Sequence, residues 1–201
     1  MSNALMDACK LGLVIAVSGK PGSGKSTLAK ALAERFGLRY VSLGMIFRRL
    51  ADERRMSLEE FSRLAEKDRS IDELIDAISR REGKRGCVVI DGHISAWILA
   101  DIAHAKILVY APTDVRAARI AQRDRRSIED ALRELKIRDA SEARRYRKYY
   151  GINVEDISVF DVAINTATFS KREMIELASK AVELILKRLG GKQKLIEGTK
   201  I

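Results

Sequence analysis

Gly19-Lys20-Pro21-Gly22-Ser23-Gly24-Lys25-Ser26 follows directly on the apolar, β-branched run Leu11–Ser18 (LGLVIAVS). That run reads as a buried strand. After the octet, apolar residues return at helical spacing (Leu28, Ala31, Leu32, Phe36), and Gly37 stands where a helix would end. The octet matches G-x-x-x-x-G-K-[ST] between a strand and a helix, the pattern of a phosphate-binding loop. Its glycines let backbone N–H groups turn inward around an anion, and the helix that follows points its positive end at the same anion. Lys25 would reach the β- and γ-phosphates, and the Ser26 hydroxyl can ligate Mg²⁺. Residues Gly19 to Thr27 are therefore expected to form a nucleoside-triphosphate site.

Working outward, strands and helices alternate. Leu38–Ser42, Cys87–Ile90, Ala105–Tyr110 and Asp161–Ile164 read as four further strands. Helical patterns fill Met45–Arg80, Val115–Gln122, Ser127–Tyr150 and Lys171–Leu189. Within the first of these, Ser57-Leu58-Glu59-Glu60 has the form of a capping box, Asp68–Ser70 breaks the pattern, and Asp72–Arg81 resumes it. Gly151 closes the third helical stretch, and Gly190-Gly191 is predicted to close the last. Such alternation predicts an α/β fold, a five-stranded parallel sheet with helices on both faces and ligands at the carboxyl ends of the strands.

The chain has 201 residues, 46% apolar, with two prolines and no repeat or low-complexity linker. One compact domain is expected. No apolar run approaches the ~18 residues of a membrane span, and Met1-Ser2-Asn3-Ala4 lacks the pattern of a signal peptide. Cys9 and Cys87 alone cannot form a metal site. Cys87 opens an apolar run and reads as a buried thiol, which suits a reducing, cytoplasmic setting. Asn and Gln total only five, a weak sign of a heat-tolerant source.

Lys plus Arg is 38 and Asp plus Glu is 28, a net charge of +10. Arg116–Lys148 holds 12 basic and 6 acidic residues, so it carries more than half of the excess. Arg119 and Arg123 share a helix face, as do Arg138, Glu142 and Arg145. This basic segment suits polyphosphate ligands, and it leaves open a factor that binds nucleic-acid backbone. The N-K-x-D motif of base-reading GTPases is absent, and motors and helicases need further motifs. A small-molecule kinase fits best. Asp91 ends the third strand, where an acid can hold Mg²⁺ through water or accept a hydrogen bond from the acceptor.

Ser42-Leu43-Gly44-Met45-Ile46-Phe47-Arg48 resembles the S-x-G-x-x-x-R of nucleoside monophosphate kinases. Lys136–Tyr146 with Tyr149-Tyr150-Gly151, Met56–Phe61 and Asp91-Gly92 with Ala96-Trp97 resemble the archaeal type of cytidylate kinase. The resemblance runs from about Leu13 to Leu189 and implies a three-layer P-loop kinase. Its core would be residues 11–42, 86–118 and 158–189, with acceptor-binding helices at 43–82, a lid at 119–152 and a flexible tail at 190–201. It implies ATP and Mg²⁺ as cofactors and CMP or dCMP as acceptor, in a monomer that requires neither nucleic acid nor membrane. Another monophosphate or small-metabolite kinase is the alternative within the class.

Arg48 takes the acceptor phosphate by resemblance; Ser42, Gly44, Asp91, Gly92, His93 and Glu142 would complete the acceptor site. Arg119 and Arg123 would join the ATP site. Lys25, Arg123, Arg138 and Arg145 would carry the charge of transfer, and Ser26 and Asp91 the metal. The family usually has arginine where His93 stands, and Asp-Thr where Asn165-Thr166 stands. Cytosine needs an acceptor facing N4 and a donor facing N3, for which Asp91, Ser42 and Arg138 are candidates.

Overall fold

In a computed structural model of the chain, residues 8–198 are described, with side-chain detail through residue 190. Met1-Ser2-Asn3-Ala4 lies outside them. Five parallel strands, β1 (Val14–Ser18), β2 (Arg39–Ser42), β3 (Val88–Asp91), β4 (Ala105–Tyr110) and β5 (Val162–Asn165), stand in the order β2-β3-β1-β4-β5. All five residues of β1 are buried, as its unbroken apolar run predicts for a central parallel strand.

The pleat sorts β1 between two cores. Leu13, Ile15 and Val17 face α1 (Lys25–Phe36) and the last helix, packing with Leu28, Leu32, Met174 and Val182. Val14 and Ala16 face the opposite side, where α2 (Leu43–Glu53), α3 (Leu58–Ala65) and α4 (Ser70–Lys84) bring Phe47, Phe61 and Ile75. A short helix, α5 (Ser95–Ile98), follows β3. Beyond β4 come α6 (Thr113–Asp124) and the 23-residue α7 (Ile128–Tyr150), which pack through Ile120, Ala121, Ala131 and Leu135. The chain closes with α8 (Lys171–Gly198).

Local signals explain the boundaries. Ser57 and Glu60 form both hydrogen bonds of the capping box at the start of α3. Gly37 and Gly151, both left-handed, end α1 and α7. Ser42 ends β2 and caps α2 in one residue, its hydroxyl accepting from the Met45 N–H.

Three expectations are corrected. β1 starts at Val14 rather than Leu11, because Gly12 turns at φ 63°. α8 continues through Gly190-Gly191, where the sequence predicts its end; two glycines lower helix propensity without forbidding the helix. Cys87 is not a free thiol. It is disulfide-bonded to Cys9, with Cα atoms 4.6 Å apart, so residues 8–10 are tied to the start of β3. Periodicity gave no signal for this pairing, because it joins positions 78 residues apart.

Closing a loop of that length is expected to stabilise the fold by about 2–4 kcal/mol. Cys9→Ser should lower unfolding free energy by that amount under oxidising conditions. Excess reductant should bring the wild type to the same denaturant midpoint. Equal midpoints before reduction, or two free thiols by titration in the native protein, would show the bond is not formed.

Candidate active site

The carboxyl ends of β1, β2 and β3 open onto one cavity of about 360 Å³. Its floor is the loop between β1 and α1. Gly19 takes φ 146°, and a Cβ there would lie 2.1 Å from the Val109 carbonyl oxygen, so the loop can pass β4 only as glycine. Gly22 is similarly constrained: φ is 79°, and its Cβ would meet the Arg116 carbonyl at 2.8 Å. The loop is braced from behind. Arg116 donates to the Pro21 carbonyl (3.1 Å) while paired with Asp139 (2.7 Å). Thr166 donates to the Ser23 carbonyl (2.9 Å), and Arg119 grips Thr166 through its hydroxyl (2.8 Å) and carbonyl (2.6 Å). Thus Asn165-Thr166 departs from the family pattern at the first residue and supplies the loop's brace with the second.

Most predicted site residues meet here. Pro21, Gly22, Gly24, Lys25, Ser26 and Thr27 line one end of the cavity, and Arg48, Arg119, Arg123 and Arg138 surround it. Gly19, Lys20 and Ser23 shape the loop without lining the cavity; the Lys20 ammonium is paired instead with Glu155 at 2.7 Å. Lys25 donates to the Lys20 carbonyl (3.0 Å). Burial pushes its ammonium down to about 8, although Asp91 and Glu142 oppose the shift. Burial also lowers the Arg48 pKa, helped by the nearby Arg123 and Arg138. Cations crowded until they disfavour their own charge make an anion site.

Asp91 is 1% exposed, and its oxygens accept from Tyr40 (2.5 Å) and Ser42 (3.1 Å). It has only neutral hydroxyl partners among the described residues. A buried carboxylate without a paired cation, beside Ser26 in the same cavity, fits a hard cation such as Mg²⁺ with waters. No cluster of three metal-ligating side chains exists among the described residues, so substrate phosphates would have to supply the remaining ligands. Asp91 and Ser42 are hydrogen-bonded to each other in the cavity that also holds Arg138.

The other end differs in chemistry. Gly44, Phe47, Asp72, Ile75, Asp76, Gly92, His93, Glu142, Arg145 and Tyr146 line it. Glu142 lies between His93 Nδ1 (2.5 Å) and Arg138 (3.4 Å). Burial works against its charge, yet His93, Arg138 and Arg145 hold its carboxyl well below the usual range. The proton between the two therefore sits on Nδ1, which donates. His93 thus enters the site through Glu142, where the family's usual arginine suggests a contact to the nucleotide. Arg145, 2% exposed, is paired with Asp72 (2.5 and 2.7 Å).

Sequence reasoning missed Tyr40, Asp72, Asp76, Arg116, Tyr146 and Thr166 as site residues. Asp72 and Asp76 had one available signal, their i, i+4 spacing on a helix otherwise presenting apolar Ile71 and Ile75 on that face.

A parallel sheet with a phosphate loop after its first strand, a second anion site opposite and arginine-bearing helices above defines a P-loop kinase. The chain belongs to the cytidylate kinase-like family, which it matches over residues 14–168. It is 45% identical over 175 residues to a cytidylate kinase of Staphylothermus marinus, covering 87% of this chain and 99% of that one. It is 48% identical over 161 residues to a cytidylate kinase of Aeropyrum pernix, covering 80% and 94%. A gluconokinase from Sinorhizobium meliloti shares the fold at 17% identity and a TM-score of 0.59, covering 90% and 98%.

The lowered Lys25 pKa has a measurable consequence. A bound polyphosphate returns the proton to the ammonium, so ATP binding above about pH 8 takes up a proton. Affinity should then fall by up to about tenfold per pH unit above that point. Calorimetry in two buffers of different ionisation enthalpy checks it; affinity and heat independent of buffer at about pH 9 would contradict the shift.

Proposed function

We propose that the protein transfers the γ-phosphoryl group of ATP to CMP or dCMP, yielding ADP and CDP or dCDP. The observation that carries this is the single cavity joining the phosphate loop to a second cationic site around Arg48 and Arg138. Membership in the cytidylate kinase-like family, and relatives named cytidylate kinase, support the choice of acceptor.

Two polyanions must meet, and each pair of unit charges 4 Å apart repels by roughly 4 kcal/mol at an effective dielectric of 20. Lys25 would take the β- and γ-phosphates and Arg48 the acceptor phosphate. Arg123 and Arg138, which line the same cavity near Arg48, would stabilise charge on the phosphoryl group in flight. Arg119 would border the donor's base, since it is already fixed on the Thr166 segment. Mg²⁺, when bound, would neutralise phosphate oxygens; Ser26 and Asp91 are the residues to hold it.

An acceptor phosphate oxygen attacks the γ-phosphorus as the bond to the β-phosphate oxygen breaks. The acceptor phosphate is largely ionised near neutral pH, so no general base is needed. Helices 43–82 would close over the acceptor and segment 119–152 over both nucleotides, excluding water. No helix among the described residues is long and apolar enough to cross a membrane. The reading is of a cytoplasmic monomer acting on free nucleotides. A disulfide is compatible with that setting in hyperthermophiles, whose intracellular proteins retain such bonds.

The test is ADP formation from MgATP with CMP, dCMP, UMP, AMP, GMP and shikimate in separate reactions. Turnover confined to the cytidylates is expected. Lys25→Ala should remove nearly all turnover in a folded protein. Arg48→Ala should raise KM for the acceptor about 10²-fold, the loss of a strong charge-assisted pair, with little change for ATP. A defect confined to ATP would refute the role given to Arg48.

A further inference from the structure

The cavity's two ends carry opposite chemistry. Around the loop, the cations Lys25, Arg48, Arg123 and Arg138 outnumber the buried carboxylates near them, Asp91 and Glu142, whereas the far end holds Asp72 and Asp76 beside Arg145. A phosphate would be repelled there. A flat heterocycle would not: Phe47, Ile75 and Tyr146 supply apolar walls, and the Arg145 guanidinium lies 5.6 Å from the Phe47 ring and 5.5 Å from the Tyr146 ring.

The hydrogen bonds already made show which polar atoms are committed. Both Asp72 oxygens accept from Arg145 Nη1. Arg145 Nε, buried in a side chain only 2% exposed, has no partner. Asp76 accepts through Oδ2 from the Tyr150 hydroxyl, and Oδ1 has no partner among the described residues. An uncommitted acceptor and uncommitted donors thus share one apolar-walled pocket.

We propose that Asp76 selects the acceptor base, accepting a hydrogen bond from an exocyclic amino group while Arg145 donates to the adjacent ring nitrogen and carbonyl. Cytosine offers that sequence, an amino donor next to two acceptors. Uracil presents a carbonyl oxygen to the Asp76 carboxylate and a ring N–H to the guanidinium, so both contacts become repulsive. Tyr150 and Asp72 are positioning residues: the first fixes the Asp76 carboxyl, the second the guanidinium. The inference rests on the nucleotide-kinase reading and adds the residues that choose the base.

The protonation state of Asp76 should then matter. The groups facing it are Tyr150 and Arg145 on α7 and Asp72 and Glu73 on α4. Burial pushes its carboxyl up to about 6; the Tyr150 bond opposes this and the Asp72 charge adds to it. Below that pH the acid gains a proton it can donate to a carbonyl oxygen, which favours uracil.

The experiment compares kcat/KM for CMP and UMP, at saturating MgATP, in wild type and Asp76→Asn. Asparagine can offer either an amide oxygen or an amide N–H. The CMP/UMP ratio should fall at least tenfold in the variant, through KM, and in wild type it should fall as pH drops through about 6. The acceptor phosphate titrates alike in both substrates and cancels in the ratio. An unchanged ratio in Asp76→Asn, with both acceptors weakened equally, would reduce Asp76 to a structural role and overturn the proposal. If the variant does not fold, the wild-type pH series decides: a ratio flat from about pH 5.5 to 8 overturns it. Wild type that phosphorylates CMP and UMP equally also overturns it while leaving the kinase reading intact. Wild type that phosphorylates neither defeats the kinase reading itself.

Discussion

Holding many positive charges in one desolvated cleft, before any phosphate arrives, is the constraint around which this molecule is organised. Six cationic side chains line the cavity: Lys25, Arg48, Arg119, Arg123, Arg138 and Arg145. Left unpaired, each would repel the others and lose hydration. The protein solves this by distance from the reaction. Arg145 is paired with Asp72, Arg138 with Glu142 and Arg123 with Asp124. Lys25, Arg48 and Arg119 have no ion-pair partner among the described residues; Arg119 is hydrogen-bonded to Thr166, whereas neighbouring cations help to lower the pKa of both Lys25 and Arg48. Those two stand where polyphosphate and acceptor phosphate would be bound.

The bracing of the loop belongs to the same solution. A loop whose N–H groups converge on an anion site has nothing to hold it when the anion is absent. Here Arg116, Thr166 and Arg119 bind its carbonyls and flank from behind, and Asp139 ties that brace to α7. The helix that carries Arg138 and Arg145 is therefore mechanically connected to the loop that carries Lys25. A displacement of α7 must either break the buried Arg116–Asp139 pair or pull on Pro21.

Much of this was legible in the chain because it is local. The octet at 19–26 specifies its own turn and its own helix. Ser42 caps α2, Ser57 and Glu60 form their box, and Gly151 stops α7 within a few residues of each signal. The arginine face of α7 follows from spacing alone. What escaped is non-local. Asp72 and Arg145 are 73 residues apart, and Tyr40 and Asp91 are 51 apart, so no window along the sequence holds both partners. The Cys9–Cys87 bond has the same character. A glycine pair at 190–191 misled for a different reason: propensity is a weak prior, and a helix already anchored on the sheet by Met174, Ala178, Val182 and Leu186 can run past it.

The substitution of His93 for an arginine shows how the charge constraint tolerates change. An arginine at the β3 turn would add a permanent cation to a cleft that already holds six. His93 instead spends Nδ1 on Glu142, at 2.5 Å, and packs edge-on against Tyr146 with ring centroids 5.4 Å apart. Glu142 must answer both His93 and Arg138, so its carboxylate joins the β3 turn to the α7 helix. The imidazole thereby supplies the orientation of Glu142. Residues 91–93 carry Asp91 toward the loop and His93 toward α7, so one short turn bridges the cationic and acidic ends of the cavity. Its geometry is set by Gly92, where a Cβ would meet the Ser95 hydroxyl at 2.6 Å and Leu43 at 2.7 Å. That close packing holds the turn against α2 and α5, so the two ends of the cleft keep a fixed relation.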